Sequence, residues 1–279
     1  MSESFFKISI IDGAINLNKQ RPKYPNKNIN EIIGYLQNGP ASLSSYDYNN
    51  AIILAKKIGW EAFSLKDDRQ SQLRDTLKNM IIQLRPFWAK VSYLGRAKVK
   101  HILCEDSIQC LQYAGLLAEN PTEDVINWWE EISKIFRIIN DEQKLKIGRE
   151  GEKRTLQLEK QRILENGLNK EPRWIALEDN TVGYDILSYR KNHDNELYEI
   201  KIEVKACSFS PTHLILTRNE WKTALENKNT YFFQIWNLDV NQLIEMNVSE
   251  MACHIPKDQG DGEWKEVEVI LHGIKEVNS

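Results

Sequence analysis

Within Leu197–Lys205 apolar and charged residues alternate from Tyr198 onward, and no other stretch constrains the fold as much. Tyr198, Ile200, Ile202 and Val204 fall on one side of an extended chain. Glu199, Lys201, Glu203 and Lys205 fall on the other, because strand side chains alternate between faces. The segment is predicted as a strand with one face toward a core and a second face that carries charge. Such a charged face can simply be solvated. A second segment argues for more. Gly183-Tyr184-Asp185-Ile186 places an acid in an otherwise apolar β run, where Asp is disfavoured. If strands over 184–189 and 197–205 lie side by side, Asp185 can face Glu203 and Lys205.

Two carboxylates brought that close raise each other's pKa and make a site for a hard divalent cation. Mg²⁺ is the expected ion, with Mn²⁺ able to substitute, and Asp185 and Glu203 are its expected ligands. Such an ion polarises a phosphoryl oxygen and acidifies a bound water. Lys205 shares the face, so its ammonium can orient that water or offset charge on the phosphate.

The rest of the chain divides into two characters. Residues 1–140 read as mostly helical. Ile29, Ile32, Ile33 and Leu36 have helical spacing before Gly39-Pro40. Ser44-x-x-Asp47 resembles a capping box ahead of a helix over 51–57, closed by Gly59. An amphipathic helix is predicted over 67–84. Asn120-Pro121-Thr122-Glu123-Asp124 starts another, running to about residue 139, with Trp128, Ile132 and Phe136 on a core stripe. Residues 141–279 begin with a helix over 145–165 that stops at Asn166-Gly167. Strands are expected over 174–177, 184–189, 197–205, 214–216, 231–236 and 267–271. Asn192-His193-Asp194-Asn195 makes a hairpin of the second and third, and Thr217-x-x-Glu220 caps a short helix. The fold class is α/β (α+β): a helical N-terminal region followed by a mixed sheet flanked by helices.

Composition removes some function classes. Residues 1–140 hold 18 Lys/Arg against 15 Asp/Glu, and residues 141–279 hold 19 against 25, so the chain lacks the basic signature of a passive nucleic-acid binder. An enzyme whose carboxylates hold a metal remains compatible with that balance. No run approaches the ~20 apolar residues that span a bilayer, so no membrane is expected. The opening Ser2-Glu3 does not read as a secretory signal. Cys104, Cys110, Cys207 and Cys253 have no C-x-x-C pairing, which points to reduced thiols in a cytoplasmic protein.

Asp185 followed by Glu203-x-Lys205 is the reduced signature of the PD-(D/E)XK nuclease superfamily. Longer strings carry a more specific likeness: Ile147-Gly148-Arg149-Glu150-Gly151-Glu152, Trp174-Ile175-Ala176, Gly183-Tyr184-Asp185-Ile186-Leu187-Ser188, Ile202-Glu203-Val204-Lys205 and Leu216-Thr217-Arg218-Asn219-Glu220-Trp221. Together, over about residues 145–240, they resemble the domain named for the C-terminus of the protein NO VEIN. That family is grouped with the restriction-endonuclease-like fold and is widespread in bacteria, often beside restriction or phage-defence genes. The resemblance implies that Asp185 and Glu203 hold the metal, that Lys205 is the catalytic lysine, and that Glu152 is the helix acid that reaches a metal through water. Pro-Asp is replaced by Tyr184-Asp185.

The reading is a metal-dependent endonuclease that cuts phosphodiesters, in DNA, in a bacterial restriction or phage-defence setting. The alternative is a catalytically silent module that binds nucleic acid or a partner defence protein. Arg149, Lys153 and Arg218 are expected nucleic-acid contacts near the site. Lys98 and Lys100, interleaved with aromatics between Lys90 and His101, are candidates in the helical region. Cutting both strands of a duplex takes two active sites, which implies a homodimer.

Overall fold

The computed structural model describes residues 3–272; Ser2 and the last residues of the expected second domain, 273–279, lie outside it. The chain divides into two compact units, Met1–Asp141 and Glu142–Ser279.

In the first unit, α1 (Ile8–Gln20), α2 (Ile29–Gln37), α3 (Ala41–Ser44), α4 (Tyr48–Ile58), α5 (Arg69–Leu84), α6 (Arg96–Ile102) and α7 (Glu105–Tyr113) precede the long α8 (Glu123–Glu165). Local chemistry sets where they begin. Asn28 and Glu31 close a reciprocal capping box on α2, and Asp68 caps α5 by accepting from the Ser71 amide at 2.7 Å. The box expected at Ser44 does not form. Asp47 itself accepts from the Asn50 amide at 3.1 Å, so α4 begins at Tyr48 and Ser44 closes α3. Helix α1, unanticipated, buries Ile10, Ile11, Ala14 and Leu17. The core gathers Phe6, packed edge-on to Trp88, with Leu73, Leu77 and Met80. Trp128, Ile132 and Phe136 are buried in it as their spacing predicts.

Helix α8 replaces two predicted helices. Residues 140–144 contain neither Gly nor Pro, and Glu142, Gln143 and Lys144 are good helix formers that point to solvent. Nothing stops propagation there.

The second unit is a mixed α+β body. Its main sheet contains β1 (Arg173–Trp174), β2 (Ile186–Lys191), β3 (Leu197–Cys207), β5 (Tyr231–Asn237) and β6 (Gln242–Asn247), in the order β1-β2-β3-β5-β6. Strands β3 and β5 are parallel and the other neighbours antiparallel. A second, two-stranded sheet pairs β4 (Thr212–Thr217) with β7 (Glu266–Leu271). Helices α9 (Arg218–Glu226) and α10 (Val248–Met251) complete the unit. One face of the main sheet, through Ile186, Ile200, Ile202 and Val204, packs on Leu156 of α8. The opposite face, through Tyr231, Phe233 and Ile235, packs on Leu214 and Leu216 of β4, Trp221 of α9 and Val269 of β7.

Several predicted strands shift. Of the predicted 174–177 strand only Trp174 is extended, in β1, because the Ile175 and Ala176 amides both turn onto the Asp185 carbonyl, at 2.7 and 3.1 Å. The strand expected from residue 184 starts at Ile186, so Asp185 lies just ahead of β2. Strands β3 and β4 are longer than predicted, and β6 and α10 were not foreseen. No helix among the described residues is long and apolar enough to cross a membrane.

Candidate active site

The alternation in β3 has the predicted outcome. Ile200, Ile202 and Val204 face α8, which sends Glu203 and Lys205 to the other side of the sheet. There Glu203 is buried, with 3 % of its surface exposed. Antiparallel pairing brings Asp185 to it. Ile186 is opposite Ile202, and the Asp185 amide bonds to the Ile202 carbonyl at 2.9 Å. The Asp185 carboxylate turns back to accept the Val204 amide through Oδ2, at 2.7 Å.

The approach to Asp185 is pinned as firmly as the residue itself. Gly183 has φ +79°, a left-handed conformation that glycine adopts without strain, and a Cβ there would run into Thr223 of α9. The Gly183 carbonyl accepts the Tyr231 hydroxyl at 2.7 Å, and the Thr181 carbonyl accepts the Asn219 side chain at 3.0 Å.

Lys205 is held between two acids. Its Nζ is 2.8 Å from Glu203 Oε1 and 2.8 Å from Glu220 Oε2. Glu220 also accepts the Thr217 amide at 2.9 Å, so one carboxylate both caps α9 and fixes the lysine. Its Thr217-x-x-Glu220 spacing explained the cap, and that explanation hid its second role. Tyr231 is the other component that sequence reasoning missed. It is fully buried, on the same sheet face as Glu203, and only the alternation Tyr231, Phe233, Ile235 hinted at its direction.

Burial dominates the electrostatics. It pushes Asp185 up to about 6, against the Val204 hydrogen bond, with the Glu152 charge adding to the rise. Burial also raises Glu203 well above the usual carboxylate range; Lys205 opposes this, while Asp185 and Glu220 reinforce it. For Lys205 burial works toward neutrality, but Glu203 and Glu220 outweigh it and hold the amine above its usual value. The Tyr231 phenol is held protonated by burial and by the surrounding carboxylates. Lys205 is therefore a fixed ammonium and not a proton acceptor.

Glu152, on α8, receives hydrogen bonds from Arg149 at 2.7 Å and from the Trp174 indole N–H. The Arg149 guanidinium also lies over the Trp174 ring, 5.5 Å from its centroid. Lys153 is exposed on the next helical position. Arg218 is engaged elsewhere: it pairs with Asp258 and with Glu263 at 3.2 Å, and lies over the Trp264 ring. Lys98 and Lys100 are exposed on α6 of the first unit.

No group of three His, Cys, Asp or Glu side chains among the described residues is arranged to hold a metal ion. Asp185, Glu203 and Glu220 confront a single ammonium; burial first, and the neighbouring acids second, raise the proton affinity of Asp185 and Glu203. Mg²⁺ is commonly held by one or two carboxylates, with waters and substrate oxygens completing its shell. Asp185 and Glu203 are the two that would hold it here.

Residues 151–246 match the family model described as Protein NO VEIN, C-terminal. The NO VEIN match runs from Gly151 on α8 to Met246 on β6, and so contains Glu152, Asp185, Glu203, Lys205, Glu220 and Tyr231. No curated protein and no solved structure matches the chain.

Proposed function

We propose that the second unit is a Mg²⁺-dependent nuclease that hydrolyses phosphodiester bonds, in DNA, in a bacterial restriction or phage-defence setting. The observation that carries this reading is Lys205, an ammonium held in register by Glu203 and Glu220 beside a third carboxylate, Asp185. Bound between Asp185 and Glu203, Mg²⁺ would supply Lewis acidity at a phosphoryl oxygen and lower the pKa of water.

The chain's own residues do the rest. An ammonium has three N–H donors. Glu203 and Glu220 face two of Lys205's, which leaves one for a phosphate oxygen or the attacking water. Because Lys205 stays charged, it steadies the negative charge that grows on phosphorus in the transition state. Glu220 is a positioning residue, since it acts through Lys205. The Tyr231 hydroxyl holds the Gly183 carbonyl and so keeps Asp185 in place. Mn²⁺ should replace Mg²⁺, and cutting a duplex through both strands would use two copies of the chain.

A second reading is a fold kept for binding nucleic acid or a partner defence protein without cleavage. Lys205's close engagement by two acids favours it, because a charge cluster of this kind can be held for structure alone.

Plasmid nicking with Mg²⁺ or Mn²⁺, together with calorimetric metal titration, separates the two. Asp185→Asn and Glu203→Gln should lose both cleavage and metal binding. Lys205→Ala should bind metal and yet cut about a hundred- to a thousandfold more slowly, the loss typical of one transition-state donor. Glu220→Gln keeps the helix cap, because Gln serves in a capping box. It should melt like wild type and still cut more slowly. Full activity in Lys205→Ala would reject the catalytic reading, and metal binding without cleavage in the wild type would favour the silent module.

A further inference from the structure

The first unit contains a cleft of about 580 Å³ between the turn after α1, the start of α2, the end of α4 and the turn at Trp60. That volume lies in the range of small-ligand sites. Arg21, Lys27 and Lys56 line it and no carboxylate does. Among the described residues, none of these three cations has an acid within ion-pair distance. The nearest acid of α2, Glu31, is directed to its own capping box, where it accepts the Asn28 amide at 2.7 Å. Three unpaired cations in one concave site create a field that favours a ligand with several negative charges.

The aromatic groups are placed as deliberately. The Arg21 guanidinium lies over Trp60, 4.3 Å from its ring centroid. The backbone that carries Trp60 is pinned, because Asn18 of α1 donates to its carbonyl at 3.0 Å and to that of Phe63 at 3.2 Å. A planar guanidinium backed by an indole presents its N–H fork to a phosphate and its open face to a flat ring. Tyr24, with 37 % of its surface exposed, lines the cleft and lies parallel to Tyr35, 6.1 Å between centroids. Lys27 donates to the Tyr35 hydroxyl at 2.9 Å, which fixes its ammonium at the cleft wall. Ile32 and Ile52 form an apolar floor.

We infer that this cleft binds a nucleoside phosphate, with the phosphates on Arg21, Lys27 and Lys56 and the base against Tyr24 and the Arg21–Trp60 pair. Cations alone would take any polyanion, and aromatics alone any flat ring; the two together select a molecule that has both. The nucleoside phosphate is either free or the end of a single strand. The site is independent of the carboxylate cluster on the sheet, and it stands whether or not that cluster cuts nucleic acid.

The test is calorimetric titration of the full chain in EDTA, which removes any contribution from divalent cations. The probes are ATP, GTP, CTP, UTP, inorganic tripolyphosphate and a short single-stranded oligonucleotide. At least one nucleotide probe should bind once per chain. Tripolyphosphate should bind about tenfold more weakly or worse, because base–aromatic stacking is worth roughly 1–3 kcal/mol. Arg21→Ala and Lys56→Ala should each weaken nucleotide binding about tenfold to a hundredfold, the worth of a charged hydrogen bond. Both side chains are exposed, so neither substitution opens the core. Arg21→Lys keeps the charge and loses the fork, and should also bind more weakly. A strand that binds more tightly than every free nucleotide, with the same losses in the variants, supports the site and identifies a strand end as its ligand. Equal affinity for tripolyphosphate and nucleotides, binding unchanged in both alanine variants, or no binding by any probe would each overturn the proposal.

Discussion

Glu159 has no exposed surface, yet it stays ionised because five donors converge on it. Arg190 reaches both oxygens, at 2.5 and 2.9 Å, and Ser188, Arg162 and Gln234 add bonds of 2.6, 3.1 and 3.0 Å. Burial by itself would raise its pKa, but the Arg190 hydrogen bonds and charge, with Ser188 and Arg162, bring it below the ordinary 4.5. The sign of the linkage follows. A carboxylate depressed in the folded state contributes stability at pH above 4.5, and that contribution is lost as the pH falls through the folded-state value. Glu159→Gln should therefore flatten the acid limb of a stability-against-pH curve measured by urea unfolding. Glu159→Ala should cost about 1–3 kcal/mol at neutral pH, since it takes the acceptor from the buried Ser188 hydroxyl and from the partly exposed Arg190 guanidinium. An unchanged acid limb in Glu159→Gln would mean that other carboxylates govern it. At Glu203 the balance is opposite: burial, reinforced by Asp185 and Glu220, outweighs Lys205 and holds the carboxyl well above its ordinary range.

At the scale of elements, α8 and β3 approach each other closely at Gly151. A Cβ on Gly151 would sit 2.7 Å from the Ala206 Cβ, closer than real side chains approach, whereas one on Gly148 meets nothing within 4 Å. Both glycines are helical, so replacing either by Ala gains about 1 kcal/mol of helix propensity. Gly148→Ala should keep that gain. Gly151→Ala should lose it to about 1–3 kcal/mol of overpacking, because α8 must lift off the sheet. Chemical denaturation of the two variants should move their midpoints in opposite directions. Equal stabilisation by both would show that α8 is free to shift. The Trp236 indole bond to Thr155, 2.9 Å, opposes such a shift, and Glu152 would move with the helix away from Trp174.

At the scale of the whole molecule, each unit has a core of its own. The largest cluster belongs entirely to residues of the first unit, and the two clusters on either face of the main sheet belong to the second. Leu77 and Ile202 are fully buried, one in each unit. Leu77→Ala and Ile202→Ala should each cost about 2–5 kcal/mol, the range for a large aliphatic side chain cut back in a packed core. Hydrogen exchange resolved along the chain checks this. Amide protection should fall in the unit that carries the substitution, first in α5 for Leu77→Ala and first in β2, β3 and β5 for Ile202→Ala. Loss of protection confined to the opposite unit would contradict the assignment of cores.

Much of this architecture is written locally. The alternation through β3 by itself determined that Glu203 and Lys205 share a face. The helix cap at Thr217, the hairpin turn at 192–195 and the core stripe on α8 were also legible, because each depends on residues within a turn or two of one another. The likeness to the NO VEIN family rested on longer strings and named the segment that matches. Periodicity says which face a side chain takes, but not what that face will meet. Only the β2–β3 register set Asp185 beside Glu203, and only the docking of α9 brought Glu220 to Lys205 across 15 positions of sequence. Strand β6 escaped notice because Gln242, Glu245 and Asn247 weaken its β signal, and its pairing with β5 supplies what its composition lacks. The buried state of Glu203 is likewise tertiary. The same alternating strand on an open sheet would leave that carboxylate in water, with an ordinary pKa and an unremarkable salt bridge, and the second layer of the fold is what makes it a chemical site.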